Sequence, residues 1–384
     1  MFTSKLYYED SHKSTFSARV LSCEAVKNGY GVILDATCFY PEGGGQAGDT
    51  GLLGTVRVLD TRENGENILH ICDGALEPGS NVEGIVDYGP RFSRMQQHSG
   101  EHIVSGILNR RYGWHNVGFH MGSDFMTIDF DGPVPQEDLA SIEAEANGAV
   151  WQNLPVKCWY PSPEELKTLP YRTKKALPWP VRIVEIPGFD LCACCGTHVQ
   201  STGEIGLIKI LGISNLRGGT RMELACGSQA LEMLSTAYEQ NRQVGAAFSA
   251  QYFETGDAAR RMLDTVETLK LRLAQQQRRI FAQIAKGYEN QKTVLHFEED
   301  LDSTGVRDLC DAIGERNNGL AAVFSGDDKA GYAYCLIQKN GDLRALNKAM
   351  TAALSGRGGG KPAFQQGRLQ ATKEEIIGFW RENS

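Results

Sequence analysis

Two pairs of side chains constrain this fold more than any other feature of the chain. His98 and His102 lie four apart in Gln97-His-Ser-Gly-Glu-His-Ile103, and Cys194 and His198 lie four apart in Cys194-Cys-Gly-Thr-His198. Met95, His98, His102, Ile103 and Ile107 recur at three- and four-residue steps, so residues 91 to 112 read as a helix with both imidazoles on one face. An HxxxH pair alone is weak, because ordinary core or surface histidines share that spacing. A thiolate and a third imidazole at matching spacing complete a nitrogen and sulfur set suited to zinc. If one ion joins all four, the fold must bring together segments roughly ninety residues apart. Four protein ligands suit a closed structural zinc, whereas a catalytic ion keeps a position for water or substrate. A chain this long needs no metal staple, so the residues alone leave the two readings level.

The chain has 384 residues, more than one average domain. Residues 1–90 alternate apolar and polar positions in short runs such as Gly31–Leu34 and Val56–Leu59, which reads as a small β domain. Residues 91–227 mix helix with strand-like Val181–Ile186 and Glu204–Ile210 around the metal motifs, an α+β zinc-containing part. Residues 228–290 lack proline and place Met262, Val266, Leu269, Leu273, Ile280 and Ile284 at heptad-like steps. That predicts a long helix or helical hairpin broken near Phe253-Glu-Thr-Gly-Asp257, with an apolar stripe over 258–286 to be buried against a partner subunit, as in a homodimer, or against its own hairpin arm. Residues 291–384 alternate strand and helix around Ser355-Gly-Arg-Gly-Gly-Gly-Lys-Pro362, a C-terminal α/β glycine-rich domain. The fold class expected is α+β.

Hydrophobic residues at 41% and charged residues at 22% are ordinary for a globular chain. No apolar run is long enough for a membrane span, and the first twenty residues lack a secretory pattern, so a cytoplasmic location is expected. Ten cysteines are scattered, with only Cys192, Cys194 and Cys195 close together, which argues for reduced thiols and a metal rather than a disulfide framework. A net charge of −8 disfavours nucleic-acid binding by bulk electrostatics, so any RNA contact falls to local basic surface. Three clusters qualify: Tyr171–Lys175, the group Arg260, Arg272 and Arg278, and the tail with Arg357, Lys361 and Arg368. The tail is the best of them, because its glycines expose backbone donors beside two cations.

Thr37-Cys-Phe-Tyr-Pro-Glu-Gly-Gly-Gly-Gln46 sets three glycines and a glutamine after a strand, where the backbone can approach a ligand closely. No dinucleotide or P-loop pattern accompanies it. Taken in order, this loop, the HxxxH pair, Cys-x-Gly-Thr-His and Gly356-Arg-Gly-Gly-Gly-Lys-Pro362 resemble the editing domain of alanyl-tRNA synthetase and the free-standing alanyl-tRNA editing proteins of the AlaX group in their long form. The last motif is similar to their carboxy-terminal DHHA1-type domain. One departure is Cys195, where the family usually has glycine.

The resemblance implies a trans-editing hydrolase that deacylates alanine tRNA mischarged with serine or glycine, using Zn2+ on His98, His102, Cys194 and His198. It implies no aminoacylation half, since the editing region begins at the first residues. Asp190 occupies the family's acidic position and would orient a ligand from behind. Gly44, Gly45 and Gln46 would bring backbone donors to the oxyanion. Thr37 matches the family's threonine and would meet the serine hydroxyl, since a polar pocket left unpaired by alanine discriminates more strongly than an apolar one. Two other classes compete: a non-catalytic tRNA-binding or regulatory module with a structural zinc, and a zinc hydrolase for a small ester. Intact Thr37, Gln46 and ligand types oppose the first, and the long helix and glycine-rich tail go unexplained by the second.

Overall fold

A computed structural model describes residues 2–27, 29–173 and 179–383. The chain divides into two compact units, Met1–Gln243 and Val244–Ser384, each of mixed helix and strand.

The first unit opens with a closed barrel. Its strands run in the spatial order Thr15–Val26, Gly29–Leu34, Asn67–Cys72, Val56–Asn64, Gly51–Leu53 and Asn81–Val86, which returns to the first. Alternation puts Phe16, Ala18 and Val20 inward along the first strand and Val82 and Val86 along the last, around Leu34, Phe39, Leu53 and Val58. Closure leaves no free sheet edge here.

His70 also lies inside the barrel, fully buried. Its Nδ1 faces the Val32 carbonyl at 3.1 Å and must carry the proton, so Nε2 accepts from the Thr37 hydroxyl at 2.8 Å. Burial pushes this imidazole down from 6.5 to about 4. The folded state thus binds fewer protons than the unfolded one between those values. Stability is complete above about pH 6.5 and is lost as pH falls toward 4, by roughly 3 kcal/mol for this one group. Denaturant titrations of the wild type and His70→Asn should show that loss in the wild type and a shallower slope in the variant; parallel slopes would remove His70 from the account.

Helix α1 (Tyr88–Tyr112) follows the barrel and is buried continuously from Met95 to Leu108, ending on Gly113 in a left-handed cap. Around it pack α2 (Leu139–Trp151) and a four-stranded sheet in the order Ile208–Leu216, Gly219–Cys226, Met126–Phe130, Asn116–Met121. A three-stranded sheet of Lys157–Trp159, Ile183–Ile186 and Asp190–Ala193 adds Ile186 to the same core. Its last hairpin leads directly into Cys194–His198. A short α3 (Pro163–Thr168) carries a capping box between Ser162 and Glu165. The strand expected over 204–210 starts only at Ile208, because Ser201 and Glu204 form a second capping box that closes Thr202–Ile205 into a 3-10 turn.

The helical stretch consists of α4 (Gly227–Phe248) and α5 (Thr255–Lys286). The break falls before Thr255, at Ser249 with φ 50° and the 3-10 turn Tyr252–Glu254, so Gly256 and Asp257 lie in the first turn of α5 rather than in the gap. In the second unit a five-stranded sheet runs Thr293–Glu298, Leu320–Asp327, Gly331–Ile337, Phe364–Leu369, Arg357–Lys361. Ala321 and Val323 pack with α6 (Ser303–Arg316) and the end of α5, whereas Ala322 and Phe324 pack with α7 (Arg344–Ala353) and α8 (Lys373–Asn383). Alternation thus makes a helix, sheet, helix sandwich. Along α5, Met262, Leu263, Val266, Leu269, Leu273 and Ile280 are exposed. Among the described residues no helix is long and apolar enough to cross a membrane.

Candidate metal centre

The fold brings the two sequence pairs together. The ligand atoms of His98, His102, Cys194 and His198 all lie within 4.8 Å of one another. His98 and His102 come from the buried middle of α1, and Cys194 and His198 from the loop after Asp190–Ala193. Gly196 is required between them: a Cβ there would lie 2.0 Å from His98 Cε1. Arg182 ties the loop down by donating to the Cys194 and Gly196 carbonyls at 3.0 and 2.9 Å, and stacks over Tyr8, whose hydroxyl donates to the Cys195 carbonyl at 2.9 Å.

Each histidine has its Nδ1 held from outside. His98 Nδ1 is 3.2 Å from Gln46 Oε1, His102 Nδ1 is 2.7 Å from Asp190 Oδ2, and His198 Nδ1 is 3.3 Å from Ser99 Oγ. That pattern turns each Nε2 inward, the arrangement by which outer partners fix ligating imidazoles. Among the described residues His198 Nε2, which is buried, has no hydrogen-bond partner. His98 Nε2 lies 3.4 Å from Cys194 Sγ. Two atoms about 2.0 and 2.3 Å from one tetrahedral ion stand about 3.5 Å apart, so the spacing fits a shared zinc-like ion.

The three clustered thiols differ. Burial works against the Cys194 thiolate, but His98 and hydrogen bonding from His102 outweigh it and hold this thiol well below its ordinary range. Burial pushes Cys192 and Cys195 up instead. Only Cys194 is prepared to ligate, while exposed Cys195 lines the cleft. Burial, reinforced by His98, lowers His198 to about 3 and keeps it neutral.

Asp190 is the hub of the outer layer. Arg172 donates to its two oxygens at 2.7 and 2.8 Å while Asp190 holds His102. Of the basic cluster at 171–175, Arg172 therefore has a structural partner; Lys174 and Lys175 lie outside the described residues. Gln46 is held in turn by Thr197, which accepts from its Nε2 at 2.8 Å and returns a backbone N–H at 3.3 Å.

A cleft opens onto His98, His102 and Cys194 and is walled by Tyr8, Tyr40, Gly43, Gly44, Arg172 and Cys195. Gly44 has open space over its α-carbon, whereas a Cβ on Gly45 would meet the Phe119 carbonyl at 2.7 Å, so only the first of these glycines faces the cleft. Thr37 does not line it. Its hydroxyl is buried in the barrel, donating to His70 and accepting from Phe39 N at 3.1 Å. Sequence reasoning gave no role to Ser99 or Glu101 and read Arg172 as a phosphate contact rather than the partner of Asp190. Glu101 lines the cleft 3.8 Å from His102 Nε2 and accepts from Ser105 and Asn116. The clue was its place in His98-x-x-Glu101-His102, a carboxylate next to a ligating histidine.

Arg357, Lys361 and Arg368 stand apart from this site in sequence, on the exposed edge strand of the second unit's sheet and its neighbour. Arg368 donates to the Ala330 carbonyl at 2.8 Å. Arg260 pairs with Asp257 on α5.

Residues 181–223, which hold the Cys194–His198 loop, match the family described as threonyl and alanyl tRNA synthetase second additional domain, and residues 4–89 match tRNA synthetases class II (A). The alanyl-tRNA editing protein AlaX-L of Pyrococcus horikoshii is 29% identical across 97% of this chain and 96% of its own length. Over nearly its full length the chain is similar to this alanyl-tRNA editing protein. The alanyl-tRNA editing protein Aarsd1 of Mus musculus is 26% identical across 96% of this chain and 94% of its own length. The alanine–tRNA ligase of Thermofilum pendens is 31% identical across 97% of this chain, which spans only 43% of that enzyme.

Proposed function

We propose that this chain is a zinc-dependent hydrolase that removes serine, and glycine with it, from mischarged alanine tRNA. The observation that carries the reading is a four-residue cluster able to hold a metal, three of whose members, His98, His102 and Cys194, floor an open cleft rather than a sealed one. The names of the full-length relatives support the editing of alanyl-tRNA.

His98, His102, Cys194 and His198 would hold the ion, and Gln46, Asp190 and Ser99 orient the imidazoles. A bound zinc supplies Lewis acidity toward a carbonyl or a water molecule. Gly44 presents backbone to the carbonyl oxygen at the cleft wall, and Gly45 lets the loop pass under Phe119. Glu101 adds negative charge that favours a cation. Thr37 acts at one remove, fixing the corner from which the loop leaves the barrel, and preference for serine falls to polar groups that line the cleft.

The four parts read from the sequence would divide the work, with residues 291–384 holding the body of the tRNA. Arg357, Lys361 and Arg368 would meet phosphates, and the exposed stripe of α5 would pair two chains. Changing those three cations to alanine should raise KM for charged tRNA and flatten its salt dependence, by about 0.9 in log–log slope for each phosphate that is no longer neutralised. Hydrolysis of a small seryl ester should be unchanged, and the protein should run at the mass of two chains. Equal losses on both substrates would place these residues outside tRNA binding, and a monomeric mass would rule out the pairing.

A further inference from the structure

Arg91 lies in the first turn of α1 and is 1% exposed. It precedes His98 by seven residues and His102 by eleven, so at 3.6 residues per turn all three share one face of the helix. The histidines face the metal centre, and Arg91 faces the root of the glycine-rich loop. Its Nε donates to Asp49 Oδ2 at 2.7 Å, Nη2 to the same carboxylate and to the Cys38 carbonyl at 2.6 Å, and Nη1 to the Ser11 carbonyl at 3.2 Å. Asp49, fully buried, also accepts from Tyr40 N at 2.7 Å.

Cys38 and Asp49 are the two ends of the loop. Its middle supplies Gln46 to His98 and Tyr40, Gly43 and Gly44 to the cleft wall. One guanidinium from the metal-bearing helix therefore clamps both ends of the segment that must meet that helix again at His98. A buried ion pair is a poor source of net stability, because desolvation offsets most of its attraction. As a way to fix one geometry it makes sense: a planar fork reaches a carboxylate and a carbonyl at once, which an ammonium cannot.

We propose that Arg91 and Asp49 form a positioning pair that sets the place of Gln46 and the Gly43–Gly44 wall relative to the metal-binding histidines, acting on turnover without touching substrate. The claim rests on the hydrolase reading above. In Arg91→Lys, kcat for serine release from charged tRNA should fall roughly 10–100-fold, the range typical of losing an outer partner of a metal ligand, with KM unchanged. The visible spectrum of the cobalt(II)-loaded protein, recorded without substrate, should shift as His98 loses its fixed orientation. Asp49→Asn, which keeps the shape, should show both effects more weakly. A folded Arg91→Lys with wild-type kcat and cobalt spectrum overturns the proposal. So does a kcat that falls only with the folded fraction, or failure of both variants to fold, since the pair is then a structural latch alone. If the wild type releases no amino acid from charged tRNA, the hydrolase reading fails, while the cobalt comparison still decides the positioning claim.

Discussion

His102→Ala is expected to leave the protein without bound metal and without measurable serine release. The substitution removes one of four ligand atoms and opens a hole in the buried middle of α1. It also strips Asp190 of the imidazole it holds at 2.7 Å, leaving that carboxylate to Arg172 alone. Loss of an outer partner typically costs about 10–100-fold in metal affinity or activity, and loss of a ligand should exceed that. Elemental analysis of the purified variant beside the wild type checks it. Full metal occupancy in His102→Ala would mean that the ligand set is misassigned. Cys195→Gly should keep its metal, because Cys195 is exposed on the cleft wall and is not one of the four clustered ligand residues.

Asp190→Ala should be the most damaging change to stability near the site. It leaves Arg172, whose side chain is 13% exposed, with an uncompensated charge, and frees the His102 ring. Breaking a buried pair by removing one partner costs about 3–5 kcal/mol. Some solvent reaches Arg172, so the lower end applies. Metal affinity should fall as well, by about 10–100-fold. Denaturant unfolding and a chelator competition on Asp190→Ala and Asp190→Asn would measure the two effects separately. Stability and affinity both within error of the wild type would show that Asp190 neither balances Arg172 nor orients His102.

The metal cluster is legible in the sequence because each ligand pair is local: a four-residue step on a helix or in a loop survives whatever the tertiary structure does. Asp190 is legible only through resemblance, and its bond to Arg172 follows from a backbone register that no periodicity encodes. Thr37 shows the opposite limit. Its position in the motif suggests a pocket residue, but its partner is His70 on a barrel strand thirty-three residues away, and barrel closure turns the hydroxyl inward. Arg91 and Asp49 are invisible for the same reason, since an ordinary helix-start arginine and a loop aspartate give no sign of meeting forty-two residues apart in a dry interior. The break between α4 and α5 lies earlier than the sequence suggests because Gly256 and Asp257 look like punctuation, yet both suit the first turn of a helix.

The central claim is hydrolysis with discrimination, and one measurement addresses it directly. Metal-loaded protein is incubated with alanine tRNA charged either with labelled serine or with labelled alanine, and the release of each amino acid is timed with and without a chelator. Serine should be released much faster than alanine, and chelation should abolish the difference. Equal rates for the two amino acids, or serine release that survives complete removal of the metal, would contradict the account.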